Sequence, residues 1–183
     1  MKTTKLFIIA LIFSLLSTPV MPKSITKAEI TRYNVNMISK MIKIIQPDLK
    51  AKKRRQIASE LFKASKKFEV DPKIMVAIIA TESNFNNDAV SSSGDLSLAQ
   101  INTKVWDQEF KRLGLAKINI KRLKKDEAYA LNKMGAILSI LKARHAKKDA
   151  KWYATYHSRT KKFKDLYVKK VQSHLRSIAT ASL

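Results

Sequence analysis

The residues best suited to chemistry lie between Ala80 and Asn102, where Glu82 ends an apolar run and enters a segment rich in Asn, Ser and Gly. On a helix turning about 100° per residue, Ile74, Ile78, Glu82 and Phe85 share one stripe. Val76, Ile79 and Ala80 cover the other faces, so this helix is expected to be buried nearly all round. Glutamate is rarely buried without a reason. Desolvation disfavours carboxylate and raises its pKa, which suits a general acid near neutral pH. The plainer alternative is a helix-end glutamate paired with one of the many lysines. Periodicity alone does not choose between them.

Other reactive constellations are weak. His145, His157 and His174 lie on separate segments without the paired spacing of metal ligands, so no metal is expected. A Ser-His-Asp site has no positive signal, and no Gly-rich loop suits phosphate. The chain has no cysteine, which removes disulfides and thiolate metal sites. No cofactor is expected.

The elements that must hold Glu82 are helices. Asp71-Pro72 is a helix start, a capping acid followed by proline at the first helical position, and predicts a helix from Lys73 to about Asn84. Before it, Ile30, Tyr33, Met37, Ile38, Met41 and Ile45 repeat at helical spacing from Thr26 until Pro47. Asp48 is placed to cap a helix from Leu49 to Glu69, with Ile57, Leu61, Ala64 and Phe68 inward. Lys52, Lys53, Arg54 and Arg55 read as a solvated face near its start.

After the polar loop, a helix from Thr103 to Leu113 should turn Val105, Trp106, Phe110 and Leu113 inward and stop at Gly114. Lys121 to Lys125 reads as exposed. A long helix follows from Asp126 to about Ala146; Gly135 within it costs about 1 kcal/mol relative to Ala, so close helix contact is expected there. A short helix over Asp149–His157 carries Trp152, Tyr153 and Tyr156. Phe163, Leu166, Tyr167, Val171, Leu175 and Ile178 define the last helix, with Tyr167 and Val171 read as packing. The fold class is mainly α, with a minor β or irregular region around 86–100.

The totals bound what such a domain does. The 183 residues suit one domain, and 45 % hydrophobic content supports a core. Lys and Arg number 37 against 14 acids, a net charge of +23 that draws the chain to polyanions: nucleic acid, anionic lipid or an acidic wall polymer. Compartment chooses among them. Lys2 and Lys5 precede an apolar Leu6–Leu16, broken by Ser17, Thr18, Pro19 and Pro22, as in a signal peptide over residues 1–22. The run is shorter than the roughly 20 residues a membrane span needs. The cut is expected at about 17–24, leaving 23–183 as one domain without a stable membrane span. The alternative is an uncleaved signal anchor. Export argues against nucleic acid as partner.

Several residues together resemble a known family. Glu82-Ser83-x-Phe85-Asn86-x-x-Ala89-Val90-Ser91, then Gly94 and Leu98-x-Gln100-Ile101-Asn102, is similar to the lysozyme-like lytic transglycosylases, over roughly Ile57 to Leu175. The form Asp95-Leu96-Ser97-Leu98-Ala99-Gln100-Ile101-Asn102, followed by Trp106, most resembles small members associated with secretion and conjugation machines. Trp152-Tyr153-Ala154-Thr155-Tyr156-His157-Ser158 stands where the family carries a late Tyr-Asn. Three positions depart from the pattern: Ser97 for Gly, Ala99 for Met and His157 for Asn.

The resemblance implies a goose-type lysozyme-like helical fold and an exported enzyme of the periplasm or cell wall acting on peptidoglycan glycan strands. Glu82 would be the single general acid and base, cutting the bond between N-acetylmuramic acid and N-acetylglucosamine with formation of a 1,6-anhydro sugar. Ser83, Leu98, Ala99, Gln100 and Tyr156 would contact substrate, Tyr156 also orienting Glu82 through its hydroxyl. A secretion or conjugation apparatus would be a partner. Asp95 matches the Asp of the secretion-associated motif, which implies a loop-structuring role, and it is also the candidate second carboxylate. A hydrolytic glycosidase needs two acids flanking the bond, so a muramidase using Glu82 and Asp95 is the alternative. Two further readings are a non-catalytic basic wall-binding assembly factor and an exported nucleic-acid binder, the latter resting on charge alone.

Overall fold

The computed structural model describes residues 26–158 and 160–181; the expected leader over residues 1–22 lies outside them. Among the described residues there are seven α-helices: α1 Lys27–Ile45, α2 Ala51–Phe68, α3 Pro72–Ser83, α4 Thr103–Arg112, α5 Ile120–Lys125, α6 Glu127–His145 and α7 Lys161–Thr180. A short 3-10 helix, Trp152–Tyr156, joins α6 to α7. The mainly helical expectation holds.

Most helix starts follow from side chains that satisfy the unpaired N–H groups of a first turn. Thr26 Oγ1 accepts from the Glu29 amide at 3.2 Å while Glu29 Oε2 accepts from the Thr26 amide at 2.8 Å, a reciprocal cap on α1. Asp71 accepts from the Lys73 amide at 2.8 Å, with Pro72 in the first position of α3. Asn102 and Asp126 cap α4 and α6 in the same way. Asp48 does not cap α2. Leu49 N–H donates to the Gln46 carbonyl in a turn, and α2 begins beyond it with Lys50 in the cap position and no side-chain bond.

α2 lies along both α1 and α6, and α3 packs against α7. Buried apolar side chains from all seven helices and the intervening loops form one cluster. α3 runs through it: Met75, Val76, Ala77, Ile78 and Ile79 are fully buried, so the all-round burial expected of this helix is found. Gly135 of α6 faces Phe68 of α2, where an added Cβ would stand 2.6 Å from Cδ2. That contact is why glycine is kept inside a helix despite its cost.

Several inward expectations need correction. Val105 and Leu113 of the α4 region are exposed, and Trp106 and Phe110 alone carry that helix into the core. Phe163 and Leu166 are also exposed, because the buried stretch of α7 begins at Tyr167. Conversely, the charged Lys121–Lys125 stretch forms α5, anchored by a fully buried Leu123. Between α3 and α4 the chain makes only two isolated antiparallel bridges, Val90 with Leu96 and Leu96 with Ile101. These are the minor β region expected near 86–100. No helix among the described residues is long and apolar enough to cross a membrane.

Candidate active site

α3 delivers Glu82 in its last turn, and Asn84 ends the helix in a left-handed conformation at φ 51°. Phe85 follows at φ 65° and turns its ring into the core. This reversal leaves Glu82 at the core boundary with its side chain only 12 % exposed. Burial is the main cause that pushes its carboxyl up from the ordinary value to about 7; the negative charge of Asp95 adds to it, while the Tyr167 hydrogen bond and Lys170 oppose it. The raised acid inferred from the helical stripe is what this environment produces.

The Tyr167 hydroxyl donates to Glu82 Oε1 at 2.7 Å. Tyr167 reaches that oxygen because α7 packs on α3, and its ring is otherwise buried. His157 lies flat on the Tyr167 ring, with centroids 4.7 Å apart and planes 3° from parallel. Its Nδ1 is 4.0 Å from the same Oε1. Partial desolvation and Lys170 lower the His157 pKa, with Asp95 acting the other way, which favours the neutral imidazole.

Tyr156 does something other than expected. Its hydroxyl donates to the Ala99 carbonyl at 2.7 Å, so the hydroxyl that orients Glu82 belongs to Tyr167 instead. Ser83 makes the matching tie from α3, its Oγ donating to the Leu98 carbonyl at 2.7 Å. These two bonds pin neighbouring carbonyls of the loop, one from each side. Leu98 and Ala99 are themselves fully buried, so they build the loop's underside with their side chains. Gln100 spends both amide hydrogens within the loop, Nε2 donating to the Ala89 and Ser97 carbonyls at 2.9 Å each.

Asp95 is tied to the loop through one oxygen. Its Oδ2 accepts from Ser91 Oγ at 2.9 Å and Ser93 Oγ at 3.0 Å, and its own amide donates back to Ser91 Oγ. Oδ1 is buried and accepts no hydrogen bond among the described residues. Asp95 therefore holds the turn around Gly94 and contributes its charge to Glu82. Ser97, which stands where glycine was expected, has φ 69° and is buried. The backbone there has the conformation that favours glycine, which explains the expectation.

Among the described residues no three His, Asp or Glu side chains are grouped so that they could hold a metal ion. The residues brought together are Glu82, Tyr167, His157 and, behind them, Ser83 and Tyr156 holding the loop. Tyr167 was missed because its place in the inner stripe of α7 reads as packing. A buried tyrosine needs a hydroxyl partner, and that need was the available signal.

A model of the transglycosylase SLT domain family matches residues 59–165, from α2 across Glu82 and the loop into the start of α7. Tyr167 lies two positions beyond the end of that match. No curated protein matches the chain. With more than half of its 183 residues matched, a raised acid at the end of a buried helix and a loop clamped beside it, the chain belongs to the transglycosylase SLT domain family, lysozyme-like lytic transglycosylases that act on peptidoglycan.

Proposed function

We propose that the chain is an exported lytic transglycosylase that cuts the β-1,4 bond between N-acetylmuramic acid and N-acetylglucosamine, with Glu82 as the only general acid and base. The observation that carries this reading is the carboxyl of Glu82, nearly buried and held at about 7, with one oxygen bonded by the Tyr167 hydroxyl. A group titrating near neutrality both gives and regains a proton within one turnover.

Glu82, protonated, gives its proton to the glycosidic oxygen as the anomeric C–O bond breaks toward that oxygen. The resulting carboxylate takes the proton of the muramoyl 6-hydroxyl, whose oxygen bonds to the anomeric carbon. Glu82 ends protonated, a 1,6-anhydro sugar is formed and no water is consumed. Tyr167 fixes Oε1 by donating to it, and among the described residues Oε2 receives no hydrogen bond, which leaves it for the moving proton. The Asp95 ties to Ser91 and Ser93 support a structural part for the second acid, and so favour the lyase over a muramidase. The leader over residues 1–22 and the strongly basic remainder fit export to an anionic wall.

The test is product mass after digestion of purified sacculi, with Glu82→Gln as control. The lyase yields anhydro-muropeptides, lighter by one water than hydrolysis products, and Glu82→Gln yields none. Reducing-end products from the wild type would assign a muramidase. Undiminished cleavage by Glu82→Gln would remove Glu82 from the chemistry.

A further inference from the structure

We propose that His157 is a positioning residue for Glu82, whose Nδ1–H supplies a second hydrogen bond to Oε1 once the carboxyl has lost its proton. The proposal rests on the reading of Glu82 as the acid.

The stack against Tyr167 holds the plane of the imidazole, 3° from parallel at 4.7 Å, and Nδ1 is the ring nitrogen on the Glu82 side. The same phenol that supports the ring bonds Oε1, so the tyrosine hydroxyl and the imidazole nitrogen converge on one oxygen. At 4.0 Å the imidazole makes no hydrogen bond to Oε1, since such bonds need about 3 Å. Catalytic hydrogen bonds are often long before substrate binds and shorten in the working complex.

The groups around His157 decide which form of the ring does this. It faces Glu82 on α3, Asp95 on the loop, and Tyr167 and Lys170 on α7. Partial desolvation and the Lys170 charge favour the neutral ring, so its contribution is a donated N–H rather than a fixed cation. A carboxylate facing Nδ1 selects the tautomer with hydrogen on that nitrogen. When Glu82 gives up its proton it becomes a desolvated anion with one donor; a second donor stabilises that anion more than it stabilises the protonated acid. Lys170 favours the ionised form of Glu82, and Asp95 opposes it.

Two substitutions separate the donor from the stack. His157→Phe keeps a flat ring on Tyr167 and removes the N–H; His157→Asn keeps an N–H and removes the ring. The primary measurement is the Glu82 titration midpoint by carbon-detected NMR on the full processed chain. The expected result is a rise of about one pH unit in His157→Phe and a smaller rise in His157→Asn. Turnover of solubilised glycan should fall about tenfold in His157→Phe, with its alkaline limb moved up by the same amount. A wild-type midpoint in His157→Phe, or an equal rise in both variants, overturns the proposal.

These titrations do not depend on turnover. If Glu82→Gln keeps wild-type activity, the functional reading fails while the coupling between the two residues is judged on its own data.

Discussion

Tyr167 and Glu82, 85 positions apart in the chain, meet through a 2.7 Å hydrogen bond in which the phenol donates to Oε1. The bond exists only where α7 crosses the end of α3, so it joins the last helix to the candidate acid. It opposes the desolvation that raises Glu82, and with the smaller effects of Asp95 and Lys170 the carboxyl comes to about 7.

Removing each tyrosine hydroxyl in turn should give different results. Tyr167→Phe takes away a donor that lowers the Glu82 pKa, so the alkaline limb of activity moves above pH 7 and turnover falls roughly ten- to hundredfold. Tyr156→Phe leaves the Ala99 carbonyl without its partner and should cost about 1–3 kcal/mol of stability, with the limb in place. pH–rate profiles and urea midpoints of the two variants check this. A shifted limb in Tyr156→Phe alone would restore the role first expected of Tyr156.

Glu82 also makes stability depend on pH. Its folded pKa of about 7 lies above the ordinary 4.5, so the folded chain binds the extra proton between those values. The stability from this group is fully present below about pH 4.5 and is lost as pH rises through 7. The loss amounts to about 3 kcal/mol. Glu82→Gln cannot titrate there. The difference in unfolding free energy between the two proteins should grow over that window and level off above it. A difference that stays flat from pH 4 to 8 would mean that Glu82 is not raised.

Ser97 offers a test of the loop. A non-glycine residue at φ 69° costs about 1 kcal/mol, and Ser97→Gly relieves it. The glycine gives up a 3.3 Å contact in which the Ala99 amide donates to Ser97 Oγ, and gains freedom in the unfolded chain. The expected net is a small stabilisation, a rise of roughly 2 °C in Tm, with turnover unchanged. A lower Tm would show that the hydroxyl contact outweighs the strain.

Much of this arrangement can be read from residue order because local rules decide it. Asp71-Pro72 starts α3, the stripe through Ile74, Ile78 and Glu82 buries it, and the acid at its end follows. Gly135 announces a close helix neighbour, which proves to be Phe68. What cannot be read locally is which helix comes to which. Tyr156 and Tyr167 both sit on apolar stripes, and only the crossing of α7 over α3 decides which hydroxyl meets Glu82. Phe163 and Leu166 share the periodicity of α7 yet stand exposed, because the pattern marks a face and not where along the helix the core begins. Asp48 fails as a cap because a turn closes just ahead of α2, and a turn competes for the same residues.

The complete burial of α3 has a consequence for how the acid is tuned. The largest influence on Glu82 is removal of water, and the fully buried Ile78 one turn before it on the same helix helps to keep that water out. The hydrocarbon around α3 thus acts as the acid's dielectric as well as the fold's interior. Hollowing it with Ile78→Ala should let water or looser packing reach Glu82, bring its midpoint below 7 and draw the working pH toward acidity, a change readable by titration. If Glu82 is the acid as proposed, the pH at which the chain works is set in part by its aliphatic core.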